Sequence, residues 1–137
     1  MVLYTGIFFN KEQIESAITL SGVSTLEKRI GFPHVTFEFK PKTIDKELFG
    51  KEVDVLITGH ANDGKNEGFS VEVVSDDEKI RKAMQEVKVP HITVSTSKDG
   101  KPVDTGKLNF EPLGWKIWLK GITGAFTTNG LITKEPQ

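Results

Sequence analysis

Pro90-His91-Ile92-Thr93-Val94 repeats an earlier stretch, Pro33-His34-Val35-Thr36-Phe37, almost letter for letter. In each, a proline leads into a histidine, then an apolar β-branched residue, then a threonine. Successive side chains of a strand point to opposite faces, so residues two apart share one. His34 and Thr36 therefore project together, as do His91 and Thr93. The opposite face carries Val35, Phe37 and Phe39 in the first copy and Ile92 and Val94 in the second, all suited to a core. Each copy thus sets an imidazole and a hydroxyl on the polar side of a half-buried strand. The repeat predicts that the two strands lie side by side and supply one site.

The duplication extends upstream. Before the first copy runs a strand-like segment, Val2 to Phe9, then a helical pattern opened by Asn10 and continued through Leu20. Before the second runs Phe69 to Val74, then a helical pattern opened by Ser75 and continued to about Val87. Asn10 with Gln13, and Ser75 with Glu78, fit a capping box, a polar N-cap followed three residues later by Gln or Glu. Both halves read strand, capped helix, strand bearing His-x-Thr. Two copies predict a pseudo-symmetric pair of lobes and not a solenoid.

The rest of the chain is read around these halves. Ile14, Ala17, Ile18 and Ser21 share one face of the first helix, and Gly22 is placed to end it. Residues 23–31 form an irregular connection, and Lys42 to Gly50 a charged loop or short helical turn. Val53, Val55 and Ile57 alternate with more polar neighbours as a strand, which ends at a turn, His60-Ala61-Asn62-Asp63-Gly64, before the hairpin partner Gly68 to Val74. Ser97 to Pro102 is a polar loop. Leu108 and Phe110 start a further strand, Trp115, Ile117 and Leu119 alternate along a long one, and Ile122 to Thr127 continues it after Gly121. Thr133 to Gln137 reads as a frayed tail.

Composition narrows the function classes. The 137 residues fit one domain, 1–137, with 36% hydrophobic and 27% charged residues, an ordinary soluble balance. No cysteine is present, which excludes disulfides, thiolate nucleophiles and sulfur-ligated zinc. No basic segment leads into an apolar run near Met1 and no run is long enough to span a bilayer, so a cytoplasmic protein without membrane association is expected. Net charge is −1, from 18 basic and 19 acidic residues. A protein gripping long nucleic acid carries a cationic excess, so a small substrate or a strand end is favoured over a duplex.

Two histidines on facing strands form a natural acid–base pair. An imidazole titrates near pH ~6.5, so at neutral pH one can accept a proton from attacking water while the other delivers one to a departing alkoxide. Threonine hydroxyls beside them can donate to the non-bridging oxygens of a phosphate. These parts suit in-line cleavage of a phosphodiester. Neither motif contains a carboxylate and the two-residue partners are threonines, so neither a metal nor another cofactor is expected.

His34-Val35-Thr36 and His91-Ile92-Thr93 resemble the paired signature of the 2H phosphoesterase superfamily. Tyr4-Thr5-Gly6-Ile7-Phe8, Pro33 to Phe37, Pro90 to Ser95, Lys101-Pro102-Val103-Asp104 and Gly124-Ala125-Phe126 resemble the branch near the cyclic phosphodiesterase domain of plant-type tRNA ligases and its stand-alone bacterial and phage relatives. The likeness spans essentially the whole chain. It implies an α+β, bilobal fold: two pseudo-symmetric antiparallel sheets around a central cleft, helices outside. It implies action on 2′,3′-cyclic phosphates or 2′–5′ linkages of nucleotides or RNA ends. His34 and His91 become the acid–base pair, and Thr36 and Thr93 the phosphate-holding residues. Tyr4 is either a platform for a nucleobase, which the resemblance favours, or a core tyrosine with its hydroxyl at the surface.

Other residues take plainer readings. His60 is a satisfied structural histidine, Trp115 and Trp118 are strand packing and surface, and Lys98 and Lys101 belong to a solvated turn. Lys79-Ile80-Arg81-Lys82 is the solvent face of a helix. No obligate protein partner is indicated. A 2′,3′-cyclic phosphodiesterase leads. The rivals are a nuclease for cyclic or 2′–5′ linked oligonucleotides and a nucleotide- or RNA-end-binding module without turnover.

Overall fold

A computed structural model describes residues 1–133, apart from the side chains of Trp115 and Ile132; the tail expected at 133–137 lies, from residue 134 on, outside the described residues. The strands are β1 (Val2–Phe8), β2 (Lys28–Arg29), β3 (His34–Phe39), β4 (Glu52–Asn62), β5 (Asn66–Val74), β6 (His91–Thr96), β7 (Glu111–Thr127) and β8 (Gly130–Ile132). The helices are α1 (Lys11–Ser21) and α2 (Glu78–Gln85), with 3₁₀ turns at Lys46–Leu48 and Pro102–Lys107. An α+β fold is the result, and every pairing in its sheet is antiparallel.

The strands follow one hydrogen-bonded path, β2-β6-β5-β4-β7-β1-β3, with β8 on β7. Two separate sheets are thus not formed by hydrogen bonding; β7 joins the halves. Its first part, Glu111 to Ile122, pairs with β4, and its last part, Ile122 to Thr127, pairs with β1. The long strand read from Trp115 and continued past Gly121 is one 17-residue strand, and the start expected at Leu108 and Phe110 lies outside it. β3 ends the path and β6 lies next to its other end, yet the two approach each other without pairing. Strand twist, accumulated over the path, brings the ends round. The histidine strands therefore face each other across an open seam.

One core serves both halves. Ile7, Val35 and Phe37 from the first half cluster with Phe69, Val71, Ile92 and Val94 from the second, and with Val53, Val55 and Ile57 of β4. α1 adds Ile14 and Ala17, and α2 adds Ile80, which is core rather than solvent face although Lys79, Arg81 and Lys82 around it are not buried. α2 touches β3 of the other half. Removing a core side chain of this size costs about 2–5 kcal/mol for truncation to alanine, and here the loss would loosen both histidine strands together.

The helix caps show where short-range signals were sufficient. Asn10 Oδ1 accepts from the Gln13 N–H at 3.0 Å, and Gly22, left-handed at φ 69°, closes α1 on the Ile18 carbonyl. The reciprocal half of the capping box is absent: the Gln13 amide exchanges two bonds of 2.8 Å with the Lys120 backbone and ties α1 to β7. In the second half the N-cap is Asp77, not Ser75. Asp77 caps the N–H groups of Lys79 and Ile80, while Ser75 Oγ accepts from the Asp77 N–H. Asp77 is positioned by a salt bridge to Lys51, and α2 begins two residues later than the capping box predicts.

Candidate active site

The two His-x-Thr strands sit in matching ladders. In the first, Phe8 opposes His34, Ile7 opposes Val35 and Gly6 opposes Thr36. In the second, Ser70 opposes His91, Phe69 opposes Ile92 and Gly68 opposes Thr93. Each ladder slips immediately before its glycine, between Thr5 and Gly6 and between Glu67 and Gly68. A Cβ on Gly6 would stand 2.2 Å from the Val35 carbonyl oxygen, and one on Gly68 2.5 Å from that of Ile92. The close approach that seats each threonine opposite its neighbour thus requires glycine. Aligning the two upstream strands would have shown this shared position.

The slip corrects one expectation. Strict alternation assigns Phe39 to the core with Val35 and Phe37, but a bulge moves later residues to the other face. Phe39 pairs with Tyr4 and is 67% exposed, with the Lys40 ammonium over its ring. It lines the cleft instead.

Both rings are held the same way. His34 Nδ1 lies 2.8 Å from the Phe32 carbonyl oxygen, and His91 Nδ1 lies 2.8 Å from that of Val89. A carbonyl only accepts, so Nδ1 carries the proton in each, and Nε2 is left to accept one or, when the ring is charged, to give one. His34, Thr36, His91, Thr93 and Tyr4 line one cleft of about 470 Å³, with Ile30, Phe39, Pro102 and Val103 as its apolar walls. A larger hollow of about 660 Å³, lined by Phe8, Lys11, Phe32 and Lys120 among others, contains neither histidine nor threonine.

The copies differ in their surroundings. Tyr4 stacks on the His34 ring, centroids 4.4 Å apart, and Phe8 lies 5.6 Å away. Burial holds the His34 pKa below its ordinary 6.5; the Phe32 carbonyl opposes this and the nearby His91 reinforces it. Tyr4 also stacks at 5.5 Å on Phe126, and burial raises its own pKa. Tyr4 therefore lines the cleft while packing directly on His34. His91 is instead backed by Gly106, where a Cβ would stand 3.0 Å from its Cε1. Thr93 donates to the Pro102 carbonyl at 3.3 Å, whereas the Thr36 hydroxyl has no hydrogen-bond partner among the described residues.

His60 lies in β4 and not at a turn. Its Nε2 meets Glu67 Oε2 at 2.6 Å, and Ser95 Oγ donates to Glu67 Oε1 at 2.7 Å. Glu67 is fully buried. His60 is thus hydrogen-bonded, to a partner that sequence spacing did not suggest. Lys98 and Lys101, in the loop leaving β6, are absent from the cleft lining. Among the described residues, no group of three His, Asp or Glu side chains could hold a metal ion, and no helix is long and apolar enough to cross a membrane. Compared with models of known protein families and with curated protein sequences, the chain matches none.

Proposed function

We propose that this protein is a phosphodiesterase of the two-histidine type, acting on a 2′,3′-cyclic phosphate of a nucleotide or RNA end. The observation that supports it most is the duplicated histidine geometry: two rings from two matching ladders, each fixed through Nδ1, with both Nε2 atoms left for a ligand in one cleft. A purely structural pair has no need of that duplication. The bilobal two-sheet architecture of the 2H phosphoesterases is part of the same proposal, supported by the open seam between β3 and β6.

The unequal surroundings suggest the direction of proton flow. His34, enclosed by Tyr4 and Phe8, favours the neutral form and serves as base. It takes a proton from water as the water oxygen bonds to phosphorus. The bond from phosphorus to one ribose oxygen breaks, and His91, protonated at Nε2, delivers its proton to that oxygen. Solvent then exchanges the protons back. Thr36 and Thr93 donate to the non-bridging oxygens, where charge builds in the transition state. Thr36 is ready to do so, while Thr93 must turn from Pro102. The cleft volume falls in the range of about 300–1,000 Å³ usual for small-molecule sites, which favours one nucleotide over a cyclic oligonucleotide.

The test is incubation with 2′,3′-cyclic nucleotides, 2′–5′ linked oligonucleotides and cyclic oligonucleotides, with and without a strong chelator, and chromatography of the products. Cleavage of the 2′,3′-cyclic nucleotides to phosphomonoesters, undiminished by chelator, is expected. Preferential cleavage of a cyclic oligonucleotide reassigns the substrate. Binding without turnover makes the protein a binding module, and loss of activity restored by added divalent metal overturns the two-histidine mechanism.

A further inference from the structure

The 3₁₀ segment Pro102–Lys107 touches the second half of the cleft at three points. The Pro102 carbonyl receives the Thr93 hydroxyl, Val103 and Pro102 form part of the cleft wall, and Gly106 lies against the His91 ring. The segment is largely exposed: Pro102, Val103 and Lys107 are all exposed, Val103 to 77%. Something beneath must therefore hold it in place, since exposed segments with few buried contacts are the ones that open locally.

That anchor is Asn66. Its side chain is almost wholly buried, and its Nδ2 donates to the Lys101 carbonyl just before the segment and to Thr105 Oγ1 within it, the latter at 3.1 Å. Thr105 is itself fully buried. One amide thus grips both sides of the Pro102-Val103 stretch, and Thr105 is the residue next to Gly106. The ladders explain why position 66 is available for this. Tyr4 pairs with Phe39 and Asn66 pairs with Thr96, each two residues before its ladder's glycine. Tyr4 and Asn66 are therefore the same position of the repeat. In the first copy that position backs its histidine by direct ring stacking at 4.4 Å; in the second it reaches the histidine through an intervening segment.

We infer that Asn66 is a positioning residue for His91 and Thr93: it locks the 102–107 segment so that Gly106 seats the imidazole and the Pro102 carbonyl sets the threonine rotor. The inference rests on the two-histidine reading for its effect on rate, but its structural content does not. A catalytic group displaced by about 1 Å loses roughly a hundredfold in rate, so the segment need move only slightly.

The experiment compares wild type, Asn66→Ala and Gly106→Ala by carbon–proton NMR of the three histidine rings, with steady-state kinetics on the best cyclic nucleotide. Asn66→Ala is expected to shift the His91 ring signals while those of His34 stay in place, and to lower kcat by roughly a hundredfold with KM changed far less. Gly106→Ala leaves the anchor intact and pushes on the ring directly, so it marks the signals of a displaced His91. Should Asn66→Ala fail to fold, Thr105→Val, which removes the hydroxyl that Asn66 grips, is expected to shift the same His91 signals, and unshifted signals there overturn the inference. The inference is overturned if His91 keeps its wild-type signals in a folded Asn66→Ala protein. It is equally overturned if all three histidines shift together, since that reports general loosening. If His91 moves as expected but wild type turns over no substrate, positioning by Asn66 stands and the phosphodiesterase reading fails.

Discussion

The two His-x-Thr copies share a register, a bulge, a glycine opposite each threonine and a carbonyl clamp on each Nδ1, yet they build unlike environments. The first wraps its histidine in aromatic rings supplied by its own sheet. The second borrows a separate segment, Pro102–Lys107, to back its ring and occupy its threonine. Duplication sets where the groups point; the residues that differ between copies set what each group does. On the proposed mechanism that difference biases which ring is neutral and which carries the proton, a bias two equivalent imidazoles would lack.

Removing either histidine breaks the comparison most severely. His34→Ala and His91→Ala should each cost on the order of a thousandfold in kcat, measured on protein whose circular dichroism matches wild type. The double variant should lose little more, since groups acting in one step are strongly non-additive. Additive losses would mean that the rings work independently. The third histidine is the contrast. His60→Ala leaves the buried Glu67 with Ser95 alone among its two partners. Leaving a buried polar group short of a hydrogen-bond partner costs about 1–3 kcal/mol, so a lower midpoint in denaturant is expected, with the rate profile of the folded fraction unchanged.

The repeat was legible because its determinants are local: alternation, a proline before each histidine, a polar cap before each helix. What stayed hidden depends on long-range partners. Phe39 obeys alternation in the sequence and breaks it in the fold, because the bulge that turns it outward is a property of the β1–β3 pair and not of β3 alone. Ser75 looks like a cap, but Lys51, distant in the chain, meets Asp77 and helps place the cap there. Glu67 carries no signal in the sequence, and its role emerges only when β4 and β6 supply His60 and Ser95. The continuity of β7 past Gly121 was legible, but its change of pairing partner partway along was hidden for the same reason.

The threonines sharpen the comparison at a smaller scale. Valine keeps the branched shape and strand preference and removes the hydroxyl. Thr36→Val should lower kcat by roughly a hundredfold, the usual cost of one oxyanion-type donor. Thr93→Val should cost less, because the hydrogen bond Thr93 makes to a phosphate replaces one already made to Pro102. Equal losses would mean that the Thr93–Pro102 bond contributes nothing in the free protein, and wild-type rates in both would make the hydroxyls structural.

The smallest effect concerns Tyr4, and it separates two roles for one ring. If Tyr4 chiefly shields His34, then Tyr4→Leu lets water reach the imidazole and its pKa rises toward the ordinary 6.5. The base must be neutral to act, so the ascending limb of kcat/KM against pH should move to higher pH while the descending limb, which belongs to the acid, stays in place. Stability reports the same group independently. Because the folded pKa lies below the unfolded one, the unfolded chain binds more protons in the interval between them, and wild type loses stability as pH falls through that interval. Tyr4→Leu should flatten that loss. If Tyr4 instead stacks on a substrate base, the substitution raises KM at every pH and leaves the limb and the stability slope where they were. Titrating both quantities on the same variant decides between shield and platform, because only the shield acts on the free protein.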